Sequence, residues 1–95
     1  MERHARAAEL YEAFLNVDDR DARVLYKLAL VRFYEGQVDS AIDALERALG
    51  LDERLSEAHH LLGVCFGRQG RISEAIRALE RAVAQETREA LDRAG

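Results

Sequence analysis

Apolar residues recur at helical spacing along nearly the whole chain, and polar joints interrupt them at regular places. Between Asp21 and Glu35 the apolar positions are Leu25, Leu28, Ala29 and Phe33 with others between them, so this predicted helix is apolar around much of its girth. Gly36 follows, where a left-handed residue commonly closes a helix. A second helix is predicted from Asp39, a good N-cap type, with Ala41, Ile42, Leu45, Ala48 and Leu49 on one stripe. The cycle then repeats. Ser56 precedes a helix that ends at Gly70, and Ser73 caps one that carries Ala75, Ile76, Leu79, Ala82 and Val83.

The two cycles are copies. AIDALERAL, from Ala41 to Leu49, returns 34 residues later as AIRALERAV, from Ala75 to Val83. The same offset carries Leu28 onto Leu62 and Gly36 onto Gly70, and links Tyr11, Leu45 and Leu79 as well as Asp18, Asp52 and Glu86. A fixed period of this length marks a stacked unit that cannot bury its apolar face alone. The expected fold is all-α, a solenoid of antiparallel helix pairs with about five to six helices. The expected division is a half-repeat second helix over 1–21, repeats over 22–55 and 56–89, and the start of a capping helix or tail over 90–95. Alanines at 41, 48, 75 and 82 sit where helices must approach closely.

Composition agrees with this picture and narrows the function. The 95 residues contain no proline, 18 acidic and 14 basic residues, and a net charge of -4. No Lys/Arg block supplies the basic footprint of a nucleic-acid binder. Apolar runs such as Leu28 to Val31 and Leu61 to Phe66 fall far short of a membrane span, and no signal peptide is seen, so a cytoplasmic location is expected.

The repeated positions resemble the tetratricopeptide repeat. Leu25, Leu28, Ala29, Gly36, Ala41, Leu45 and Ala48 stand at its signature places in the first unit. His59, Leu62, Gly63, Phe66, Gly70, Ala75, Leu79 and Ala82 do so in the second. Departures are His59, where a larger core residue is usual, Arg32 in place of an aromatic, and Asp19, Glu53 and Thr87 in place of joint prolines. The resemblance implies that the first helix of each unit lines a concave groove for an extended peptide or a partner's helix. Carried onto this chain, that partner-binding face is Arg23, Tyr26, Lys27, Leu30, Phe33 and Tyr34, then Glu57, His60, Leu61, Val64 and Arg68, with Gly67 leaving room beside them. Leu30, Leu61 and Val64 stand where the members that clamp chaperone C-terminal carboxylates carry polar residues, so a more apolar partner is expected.

Candidate chemistry resolves into bland roles. Two helical metal ligands need a spacing of three or four to share a face, whereas His59 and His60 are adjacent and Cys65 lies five or six residues on. Asp19 and Asp21 lack the central glycine and closing Glu of a calcium loop. Arg47 and Arg81 read as solvated outer-face charges. No nucleophile elbow, phosphate-binding glycine loop or paired carboxylates occur, so neither an enzyme, a metal nor another cofactor is expected.

The expected function is a protein-interaction scaffold. The alternative is a homo-oligomeric assembly module, because Leu10, Tyr11, Phe14 and Leu15 on the leading half-unit need a cover that the chain does not supply, as in a fragment of a longer protein.

Overall fold

In the computed structural model, backbone is described for residues 2–17 and 20–94, and side chains for 6–13 and 20–94. Five helices follow one another: α1 (Glu2–Val17), α2 (Ala22–Tyr34), α3 (Val38–Leu51), α4 (Ser56–Arg68) and α5 (Ile72–Ala94). No strand occurs among the described residues. Each helix packs on the next, and α2 also touches α4 directly, whereas α3 and α5 do not meet. The result is a slab 42 × 31 × 20 Å. Its short dimension is close to two helix diameters, so the molecule is two helices deep.

The bends come from two Schellman turns. Gly36 and Gly70 take φ of 81° and 77°. At the first, Gln37 N–H donates to the Arg32 carbonyl at 2.8 Å and Gly36 N–H to the Phe33 carbonyl at 3.0 Å. At the second, Arg71 donates to Phe66 at 2.9 Å and Gly70 to Gly67 at 3.0 Å. Each turn satisfies carbonyls that the helix end would leave unpaired, and each requires a residue without a Cβ penalty at positive φ.

The helix starts differ in how they are capped. Asp21 caps α2, accepting from the N–H groups of Arg23 at 3.0 Å and Val24 at 3.2 Å. Asp39 does not cap the next helix as expected, since α3 begins at Val38 after Gln37 and Asp39 lies in its first turn. The Asp39 carboxylate instead accepts from the Gln69 side chain, joining the start of α3 to the end of α4. Ser56 and Ser73 are likewise inside their helices. The capping helix or tail expected to start at 90 is instead the end of α5. Neither proline nor glycine interrupts the chain between Ile72 and Ala94, and α5 runs on unbroken.

Packing explains the strict period. Ala29, Ala41, Ala48 and Ala58 have no exposed surface, and Ala82 only 2%. Around the alanines lie Leu25, Leu45 and Cys65, the largest side chains with no access to solvent. Room is also short at Gly63, where a Cβ would stand 2.7 Å from Leu79 Cγ and 3.2 Å from the Ala75 carbonyl oxygen. Arg32 replaces an aromatic, but its guanidinium pairs with Glu12 of α1 and donates to Gln37 at 3.1 Å, tying the leading helix to the first repeat.

The stripe predicted on the last helix is only half buried. Ala75 and Ala82 are buried, but Ile76, Leu79 and Val83 are exposed by 51%, 36% and 62%. Their counterparts in α3 pack against α4.

The Gly63 contact yields a paired test. Alanine at Gly63 gains about 1 kcal/mol of helix propensity but meets an overpacking cost of roughly 1–3 kcal/mol, so a net loss is expected. At Gly67 a Cβ would have nothing within 4 Å of it, so alanine there should be tolerated with a gain of about 0.5 kcal/mol. Urea unfolding of the two variants checks both signs.

Candidate partner-binding groove

The groove residues predicted from sequence lie on the side-by-side helices α2 and α4. Two contacts bridge the helices. Arg23 Nη1 lies 3.7 Å from Glu57 Oε2 at one end, and at the other the Arg68 guanidinium sits 4.9 Å from the centre of the Phe33 ring. The ion pair is well exposed and adds little stability, so it chiefly sets side-chain direction. The cation over the ring is worth about 0.5–1 kcal/mol at such a surface. Phe33 also meets Tyr34 edge to face, with ring centres 5.7 Å apart.

Between these ends the residues divide by depth. Tyr26, Leu30 and Phe33 are half-buried and pack on the core, while Lys27, His60, Val64, Gly67 and Tyr34 are exposed. Leu61 departs from the expectation. It is 7% exposed and belongs to the core, so it lies beneath the α2–α4 face rather than on it. On α4, Leu61 is flanked by the buried Ala58, Leu62 and Cys65, and this packing draws it inward. The surface is therefore an aromatic and aliphatic strip with Arg23, Lys27 and Arg68 at its edges and Glu57 as an acidic counterpart.

Tyr26 carries the electrostatic signature of this strip. Burial raises its phenol pKa above the ordinary 10.0, and Glu57 and Tyr34 push it further in the same direction. The hydroxyl is thus held neutral, as a polar tip on an apolar ring.

The other candidates have structural roles. His59 is buried, and its Nε2 donates to the Glu53 carbonyl at 2.9 Å, while His60 faces solvent. Cys65 is buried, and that burial raises its thiol pKa. No group of three metal-capable side chains is present among the described residues. No helix there is long and apolar enough to cross a membrane. Of the proposed self-association residues, Leu10 is 68% exposed. Tyr11 corrects the expectation, because it packs partly buried against the cluster formed by Leu25, Leu28 and Ala48. The side chains of Phe14 and Leu15, and the joint acids Asp18 and Asp19, lie outside what the structure describes.

A cleft elsewhere on the molecule was not among the features expected from sequence. A cleft of about 690 Å³ opens between the end of α3, the α3–α4 joint and the middle of α5. Its lining comes from four segments, so no local motif announced it.

Compared with known proteins, residues 1–82 match the family described as anaphase-promoting complex, cyclosome, subunit 3. None of the curated proteins matches the chain. Among solved structures, a crystal structure of MamA superposes with a TM-score of 0.89 at 24% identity, over 93% of this chain and 52% of that one. The Yersinia enterocolitica type III secretion translocator chaperone SycD gives 0.85 at 23%, over 88% and 58%. The second TPR of Spaghetti (RPAP3), bound to HSP90 peptide SRMEEVD, gives 0.84 at 22%, over 86% and 76%. The chain thus spans about half the length of the MamA structure.

The Tyr26 environment makes an alkaline prediction. A phenol whose folded pKa is raised contributes stability that is complete below the unfolded value of 10.0 and is lost as pH rises through the folded value. Ultraviolet titration of the phenolate, assigned by its loss in Tyr26→Phe, should show Tyr26 ionising above pH 10.0. Glu57→Gln should lower that midpoint only in part, because burial is the larger cause.

Proposed function

The chain belongs to the tetratricopeptide-type repeat family matched over residues 1–82, and from that membership we propose a protein-interaction scaffold that takes a peptide or partner helix along the α2–α4 groove. The observation that carries the reading is the exposed strip itself. Tyr26 and Phe33 give an apolar floor, Val64 and Tyr34 stand proud of it, and cations flank both ends. Rigid aromatic groups with polar tips are the residue types that anchor partners at low entropic cost. A neighbour of this fold holds the HSP90 peptide SRMEEVD, and another is a translocator chaperone. The partner of this chain is read as more apolar than that acidic peptide, because Leu30, Leu61 and Val64 offer no polar clamp.

The test must spare the buried core, which rules out Leu61 as a target. Tyr26→Ala combined with Val64→Asp removes the anchor and charges the floor at an exposed position. Partners captured by the native chain should be lost, with helical circular dichroism unchanged. Retention of those partners by the folded variant rejects the groove.

A second reading, assembly through the helix-stack ends, has its own observation. Ile72, Ile76, Leu79 and Val83 form one exposed stripe on α5, and Leu10 is exposed on α1. Light scattering over a concentration series should show association of the isolated chain, weakened by Ile76→Glu with Val83→Glu. A monomer at every concentration rejects this reading.

A further inference from the structure

The cleft beside α5 is a separate site on the other side of the molecule. His59 and Leu62, which line it, leave α4 roughly opposite Glu57, Val64 and Arg68 at 100° per residue. The cleft exists because α3 and α5 do not meet, so the α3–α4 joint and the middle of α5 wall an open space. Leu49, Leu62, Gly50 and Ala84 supply apolar surface, and a Cβ at Gly50 would meet nothing within 4 Å.

Three arginines line this space, Arg54 on the joint and Arg81 and Arg88 two turns apart on α5. Among the described residues the ion pairs are Arg23–Glu57, Arg32–Glu12, Arg71–Glu74 and Arg93–Glu89, which leave all three without a carboxylate partner. Arg88 belongs to the stretch that extends α5 beyond Glu86, so the continuous helix is what brings it to the rim. Two carboxylates, Glu46 and Glu53, also border the cleft, which leaves an excess of one positive charge in a chain of net charge -4.

His59 is the second, independent observation. Its place in the repeat is that of Leu25, a residue with no exposed surface, so packing alone is met by leucine there. The imidazole is 8% exposed, lines the cleft, and has a buried Nδ1 with no hydrogen-bond partner. Its Nε2–H holds the Glu53 carbonyl and thereby fixes the joint that carries Glu53 and Arg54. A polar side chain has replaced an apolar one at a cost in unsatisfied hydrogen bonding, and what it orders is the cleft wall.

We propose that this cleft binds a small phosphate monoester bearing hydroxyl groups, with Arg54, Arg81 and Arg88 on the phosphate, Glu46 and Glu53 accepting from the hydroxyls, and His59 as a positioning residue. Guanidinium forks match phosphate oxygens in pairs, and the volume lies within the range of small-ligand sites, about 300–1,000 Å³. The site is independent of the α2–α4 groove.

The test is a titration of the ¹⁵N-labelled chain at low salt with glucose 6-phosphate, inorganic phosphate and glucose. Saturable shifts at the amides of Gly50, Arg54, Gln85 and Arg88 are expected with glucose 6-phosphate, weaker binding with inorganic phosphate, and none with glucose. Arg81→Gln with Arg88→Gln should weaken binding at least about tenfold, whereas Tyr26→Ala leaves it unchanged. Gly50→Leu, which fills open space, should weaken it without loss of fold. His59→Leu restores the residue of the first repeat, so the melting temperature should hold while affinity falls. Absence of saturation with both phosphates, or equal affinity in the arginine double variant, overturns the proposal. Equal affinity for the two phosphates overturns the role given to Glu46 and Glu53.

Discussion

The close helix crossings are the constraint on which the rest of this structure depends. Two helices can approach closely only where side chains are small, and Ala41, Ala48, Ala75, Ala82 and Gly63 provide those places. Gly63 shows how little room remains, because Leu79 and the Ala75 carbonyl occupy the space a methyl group would need. The glycine turns at 36 and 70 then reverse the chain at a fixed point relative to each crossing. Crossing and turn together define one repeat, and their 34-residue spacing sets the stack.

That geometry produces two unlike surfaces. First helices of successive repeats touch, so α2 and α4 form a continuous face on which Arg23 reaches Glu57 and Arg68 reaches Phe33. Second helices do not touch, so α3 and α5 stand apart and leave a cleft with the α3–α4 joint in its wall. One face is a continuous strip, and the other is a cleft.

Burial within the stack depends on neighbours more than on residue type. Val38, Ile42, Leu45 and Leu49 on α3 are covered in whole or part, since α4 lies against them. Ile72, Ile76, Leu79 and Val83 occupy the same places on α5 and are exposed. Leu61 shows the reverse case, a groove position by its place in the repeat that the packing of α4 holds in the core.

Period, helix pairs and turns were legible in the sequence because each rests on local physics. Helical spacing of apolar residues, glycine at positive φ and alanine at crossings act within one or two turns of chain, and two copies of the pattern reinforce each other. Helix caps were less legible, since Asp39 lies inside the first turn of α3 and its carboxylate meets Gln69 just beyond the end of α4. The depth of Leu61 and Tyr11, the continuity of α5 and the cleft around Arg54, Arg81 and Arg88 were decided by tertiary structure alone. Each depends on how far apart and at what angle separate helices come to rest. That relation joins residues tens of positions apart, and no local periodicity encodes it.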